Sequence, residues 1–279
     1  MKEFGMRLSR IGLALLLPAL LIFTWQFLAQ RINNPWLLPG IEKVLARLTH
    51  PLEDIFGTGS LLSNLIVSLL RVLFGFLLAA LVGIPLGLLM GYLPIFRRLF
   101  GSLVEMFRPL CPIAWVPFAL AIFKTYSLVN LFGVRYSNTI FDHIQIGMLF
   151  ILFYGAFFPI LLNTMDGVLG VRDIHIESAL VLGAKPRQVF WKVIFPASLP
   201  SIFTGLRIGL GVSWMVIIAA EMLPGSDSGI GYLIIYGYQL ARMDIVITGM
   251  ILIGLVSALL SFLVRFFSQP LVGWQAKER

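Results

Sequence analysis

The chain has 279 residues, 59% of them hydrophobic and 12% charged, and a mean hydropathy of +0.94. That much apolar surface cannot be hidden in one water-soluble core, which excludes an ordinary soluble domain and leaves an all-α polytopic membrane protein as the expected class. The net charge of +8 comes without the base-stacking or groove-reading residues of a nucleic-acid face, so nucleic acid is excluded as a partner and anionic lipid headgroups are expected instead. A single cysteine, Cys111, excludes an intrachain disulfide; set in an apolar stretch, it is expected to be a buried structural thiol.

Spans of about 20 apolar residues cross a hydrocarbon core of about 30 Å. Six stretches qualify, at 11–30, 62–91, 99–123, 144–165, 200–222 and 245–267. The first follows Lys2, Arg7 and Arg10 but has no small-residue cleavage pattern at its far end, so it is expected to be retained as a helix. Between the first two spans, residues 34–59 are mixed and proline-containing, with a short surface helix expected near Ile41 to His50. The second span carries Gly83 and Gly87 four apart, a small-xxx-small face suited to close helix contact. The third is broken by Pro109, Pro112 and Pro117, which remove backbone donors. Irregular backbone at membrane depth is tolerated only against protein or a watery cavity, so this span points to a translocation route. Lys124 to His143 is too polar to continue a span and reads as an outer loop. After the fifth span, Pro224 to Ser228 makes a turn, and Gly229 to Arg242 is short enough to be re-entrant before the last helix.

With the N-terminus inside, twelve Lys and Arg fall on one side (Lys2, Arg7, Arg10, Arg97, Arg98, Arg172, Lys185, Arg187, Lys192, Arg265, Lys277, Arg279) and six on the other (Arg31, Lys43, Arg47, Lys124, Arg135, Arg242). The positive-inside rule therefore places both termini and the polar segment 166–200 in the cytoplasm. Arg71, Glu105, Arg108, Arg207 and Glu221 fall in or beside the spans. Each costs about 2.5–3.5 kcal/mol at a helix centre, so they are expected to face protein or water rather than lipid. Glu105 and Arg108 are three apart and able to neutralise each other, and Glu221 can pair with any of the arginines. Arg71 and Arg207 are expected to pack or to snorkel to a membrane face. For an anionic solute, Arg71, Glu105, Arg108, Trp115, Trp214 and Glu221 are the translocation-path candidates, with Arg108 beside Trp115 or Trp214 the leading contact.

The cytoplasmic segment reads as a jointed elbow. Asp173 can cap a short helix through Leu182, ended by Gly183. Pro186 suits the first turn of a second helix to about Ile194, and Pro196 and Pro200 lead into the fifth span. Glu177-Ser178-Ala179, Gly183 after three intervening residues, and Val193 to Pro196 after nine more resemble the EAA loop of binding-protein-dependent ABC importer permeases. In that family the second position is more often alanine and the end is more often Ile-x-Leu-Pro; Ser178 and Val193-Ile194-Phe195-Pro196 keep the small and apolar characters. The likeness extends from about 61 to 267. Ser68-Leu69-Leu70-Arg71-Val72, Arg108-Pro109 with Pro112 to Pro117, Phe157-Phe158-Pro159-Ile160, and Gly205-Leu206-Arg207 through Trp214 to Leu223 look like the nitrate, taurine, sulfonate and bicarbonate branch.

The resemblance implies a single permease domain of type I importer architecture over 1–279, with a first helix and outer segment in 1–60 and a coupling loop at 166–200. It implies an inner-membrane location, two cytoplasmic ATPase subunits per complex holding ATP and Mg, an extracytoplasmic solute-binding protein, and a second permease copy, in the simplest case a homodimer. Glu177, Ser178, Ala179, Gly183, Ala184, Pro186 and Pro196 are the implied ATPase-coupling residues. No cofactor or metal is expected on this chain, which lacks a Walker-type phosphate loop and is not expected to be an enzyme. The competing reading, an ATP-independent secondary transporter or channel, calls for an inverted repeat and a midplane carboxylate; no repeat is visible. Membrane-embedded enzymatic chemistry has only His50, His143 and His175 to draw on, with no metal or nucleophile motif around them.

Overall fold

The computed structural model describes residues 2–55, 57–123, 126–127 and 140–272, with backbone alone at 2–15, 120, 140–141 and 270–272. Among these, no strand forms; two isolated bridges join Asp54 to Ser60 and Ser127 to Gln145. The helices are α1 (Lys2–Ile32), α2 (Ile41–Thr49), α3 (Leu61–Tyr92), α4 (Pro94–Phe107), α5 (Val116–Phe123), α6 (Ile146–Leu169), α7 (Asp173–Val181), α8 (Pro186–Val189), α9 (Phe195–Glu221), α10 (Ile230–Gln239) and α11 (Met243–Val272).

Four helical runs are long and apolar enough to cross a membrane: Leu61–Tyr92, Ile146–Leu169, Pro186–Glu221 and Met243–Gln269. The α4 and α5 pair, bent by 86°, makes a fifth. The remaining stretch read from the sequence, 11–30, is helical throughout as part of α1. The short helix expected near Ile41 is α2, and the segment after Gly229 is α10. The polar loop read at 124–143 lies mostly outside the described residues, apart from 126–127 and a short 3-10 turn, Ile140–His143.

α6 is the innermost span and packs on α3, α9 and α5. Its approach to α3 is set by small residues at every fourth position, Gly75, Ala79, Gly83, Gly87 and Gly91. A methyl group added at Gly87 would stand 2.7 Å from the Leu161 carbonyl oxygen, and one at Gly91 2.6 Å from Val168 Cβ, so the two backbones could not lie as they do with larger residues. The glycine face seen in the sequence is thus a contact face and runs along the second half of α3, from Gly75 to Gly91.

The third span breaks where the prolines predict. α4 stops at Phe107, a 3-10 turn covers Pro112–Trp115, and α5 continues the chain in a different direction. Without N–H groups at Pro109 and Pro112 the helical ladder cannot run through. Tyr154 of α6 closes the gap by donating its hydroxyl to the Phe107 carbonyl. Cys111 lies exposed in this break rather than buried as expected, because the bend turns the 108–111 segment away from the core.

Candidate functional site

At one end of the bundle α7 and α8 form the elbow. The N-cap of α7 is Arg172, and Asp173 is in the first turn, so the expected cap is shifted by one residue; Asp173 still places its charge where the helix dipole favours it. α7 ends in a Schellman arrangement: Ala184 N–H donates to Ala179 O at 3.0 Å and Gly183 N–H to Leu180 O at 2.9 Å, with Gly183 at φ +82°. Lys185 N–H donates to Gln188 Oε1 at 2.9 Å and fixes the start of α8.

The second helix does not end at Ile194 as expected. α8 passes through a π-helical turn, Phe190–Ile194, straight into α9, giving one continuous 36-residue run from Pro186 to Glu221. Pro196 and Pro200 lie inside that run, and Pro196 explains the π turn: it has no N–H to give, so the preceding turn widens and Phe195 N–H donates to Phe190 O instead.

The inner face of the elbow is rooted in a small apolar cluster of Val168, Val189 and Ile194, with Leu88 of α3, Ile176, Ala179 and Ala184 packed against it. Tyr92 at the end of α3 meets Phe190 edge-on at 5.0 Å. The outer face is open. Val181 and Leu182 are each 87% exposed, and Ile174, Glu177, Ser178, Lys185, Pro186 and Trp191 are exposed beside them.

At the opposite end lies a polar cluster with no exposed surface on its central pair. Arg71 Nη1 and Glu221 Oε1 are 2.9 Å apart, both side chains 0% exposed. All five guanidinium N–H groups have acceptors: Glu221, the Ser228 carbonyl and hydroxyl at 2.9 Å each, and the His143 carbonyl at 2.6 and 3.0 Å. Glu221 also has Ser68 Oγ at 2.8 and 2.9 Å from its two oxygens and accepts Gly231 N–H at 3.0 Å. Asn64 Oδ1 accepts Gly229 N–H at 2.7 Å, and Ser68 Oγ accepts Ile230 N–H at 3.0 Å. The N-terminus of α10 is therefore held by side chains of α3, and α3, α9, α10 and the turn before α6 meet at one point. Gly229 is required there: its φ is +112°, and a Cβ would fall 2.2 Å from the Glu221 carboxyl carbon.

Of the two expectations for Arg71, packing and snorkelling, this geometry bears out packing. Arg71 was one of several arginines the sequence allowed as partner to Glu221; Asn64 was not singled out, and Ser68 and Ser228 entered only within a family-like run and a turn. A signal for them exists: Asn64, Ser68 and Arg71 recur at four and three residues along one face of an otherwise apolar helix. The remaining path candidates scatter. Glu105 and Arg108 are both exposed, and no ion pair joins them among the described residues, so their expected mutual neutralisation is absent. Trp115 is half-buried among Phe107, Phe118, Phe150 and Tyr154. Trp214 is 2% exposed and donates to the Ile253 carbonyl at 3.3 Å, an internal tie between α9 and α11. No group of three or more His, Cys, Asp or Glu able to hold a metal occurs among the described residues.

Long apolar helices, one broken span and an exposed elbow fused to the longest helical run define a multi-pass membrane protein. The chain belongs to the family of binding-protein-dependent transport system inner membrane components, whose model matches residues 83–272. A protein of Methanocaldococcus jannaschii, described only provisionally as an ABC transporter permease protein, is 49% identical over 96% of this chain and 93% of its own length. The taurine transport system permease protein TauC of Escherichia coli is 30% identical over 94% of this chain and 88% of its own. The nitrate import permease protein NrtB of a Synechocystis species is 32% identical over 93% and 88%. Among solved structures, a chain of the MetNI methionine ABC transporter in an inward-facing form superposes with a TM-score of 0.56 at 18% identity, covering 76% of this chain and 96% of that one. The fold is that of a type I importer permease.

Proposed function

We propose that this chain forms the membrane path of an ATP-driven importer for a small oxyanion or sulfonate and is worked by a separate ATPase through the Glu177 to Pro196 loop. The observation that supports this most directly is the tip of the elbow. Val181 and Leu182 are each 87% exposed, on a turn that its Schellman hydrogen bonds fix rather than leave loose. Covering two such side chains with a partner contributes roughly 1.5–3 kcal/mol apiece, which suits insertion into a groove on a cytoplasmic subunit. Glu177, Ser178, Ala179, Gly183, Ala184, Pro186 and Pro196 build or flank that contact.

In this reading two copies of the chain each engage one ATPase subunit, which carries the ATP and Mg. Both termini lie in the cytoplasm, and a solute-binding protein docks at the far end. ATP binding draws the two elbows together; α9 follows because no loop separates it from α8. The nitrate and taurine permeases among the relatives support an oxyanion or sulfonate as cargo.

The test is co-expression with a candidate ATPase, co-purification and reconstitution with nitrate, bicarbonate, taurine and alkanesulfonates. The expected result is ATP-dependent uptake of one of these solutes, abolished by Leu182→Asp together with loss of ATPase co-purification. Full uptake by the chain alone without ATP would instead establish the secondary-transporter reading.

A further inference from the structure

Arg207 was not among the path candidates; like Glu105 and Arg108 it is exposed without an ion pair among the described residues, but it stands inside an unbroken helical run rather than beside the break after α4. Its neighbours Gly205 and Gly209 both pack on Ile160 of α6, so Arg207 stands level with Ile160. That level is about 21 Å from the start of α6 and about 14 Å, or two and a half turns, from its end. Snorkelling serves long side chains near helix ends and does not account for a charge this deep. Arg207 is exposed in the chain, and among the described residues it has no hydrogen bond or ion pair.

The face around it is mixed. Thr204, Arg207 and Gly211 of α9 are exposed together with Ile208 and Met215, and Arg207 shares a groove with Ser257 and Ser261 of α11 that is also lined by Leu210, Trp214, Leu260 and Val264. By contrast, the exposed residues in the middle of α3 are Leu73, Leu77, Leu78, Leu81 and Val82, all apolar as acyl chains require. A permanently charged guanidinium with free N–H groups, two serines in the same groove and no carboxylate among its lining residues offers an anion a partner. Its planar fork matches the two oxygens of a nitrate, carboxylate or sulfonate group, whereas a lysine would offer only a point charge.

We infer that Arg207 is the anion-contacting and selectivity-determining residue of the path, binding the oxyanion head of the solute against the Ser257 and Ser261 side of the groove. This deepens the proposed function and rests on it. It also moves the site away from Arg71 and Glu221, whose charges satisfy each other. One arginine, open on one side, gives a contact weak enough to release its cargo.

The test uses the complex with its co-purifying ATPase in proteoliposomes, with nitrate and methanesulfonate as probes. Arg207→Gln is expected to lower uptake of the transported anion at least tenfold, and Arg207→Lys to keep part of the rate with a changed preference between the two probes. A second measurement does not depend on uptake: Arg207→Cys in a Cys111→Ser background is expected to react with a negatively charged thiol reagent, and nitrate or methanesulfonate to slow that reaction. Uptake by Arg207→Gln within twofold of the parent, or a cysteine at 207 inert to the reagent, overturns the inference and leaves the importer reading intact. A parent complex that carries neither anion overturns the oxyanion reading and the inference with it.

Discussion

The Arg71 and Glu221 pair shows how one buried contact orders several chain segments. With both charges removed from solvent, each depends on the other and on the hydrogen bonds around it. Arg71→Leu is therefore expected to destabilise the protein by about 3–5 kcal/mol by stranding a buried carboxylate, and Arg71→Met combined with Glu221→Leu by less than the single change. Thermal unfolding in detergent, followed by tryptophan fluorescence, measures both. Gly229→Ala should be as damaging as losing the ion pair, because its Cβ would occupy the carboxylate's place. At Gly57, where φ is +78° but nothing lies within 4 Å, the same change should cost only backbone strain of about 1–2 kcal/mol. In the sequence these residues are visible as charges that must avoid lipid. Which arginine meets Glu221 is not visible, because the partners are 150 residues apart and only the packing of α3 on α9 brings them together.

At the scale of elements, the α3 to α6 contact and the elbow behave differently. Gly87→Leu is expected to force the two helices apart and cost about 1–3 kcal/mol or more, whereas Gly101→Leu, with open space around it, should be close to neutral. Comparing the two melting temperatures checks this. Gly183→Ala places a β-carbon in a left-handed turn and should weaken the end of α7 by about 1–2 kcal/mol. The expected signature is faster amide exchange confined to Leu180 to Ala184, with the spans unchanged. The elbow's two helices and its glycine were legible because capping and turn chemistry are local. Its direct joining to the fifth span was legible too, with Pro196 and Pro200 leading in; the π turn that accommodates Pro196 was not, because it is a backbone adjustment with no distinct sequence pattern.

For the whole molecule, the testable claim is orientation. In a Cys111→Ser background, a cysteine at Leu182 should be labelled by an impermeant thiol reagent only from the cytoplasmic side, and one at Leu52 only from the other. Both positions are well exposed, at 87% and 74%. Labelling of both from one side would contradict the charge asymmetry of the loops. The sequence by itself determined the class, five of the six expected spans, the break in the third and the elbow. These follow from composition, periodicity and proline or glycine chemistry within a few residues, whereas the family likeness rests on the resemblance of its motifs. Tertiary structure alone decided which intramembrane charges neutralise each other and which remain open. Arg71 and Glu221 close on one another, Trp214 is enclosed, and Glu105, Arg108 and Arg207 are left exposed, Arg207 beside a groove that holds Ser257 and Ser261. Exposure in a helix bundle depends on which face each neighbour covers, and that is set by helix packing rather than by any single stretch of chain.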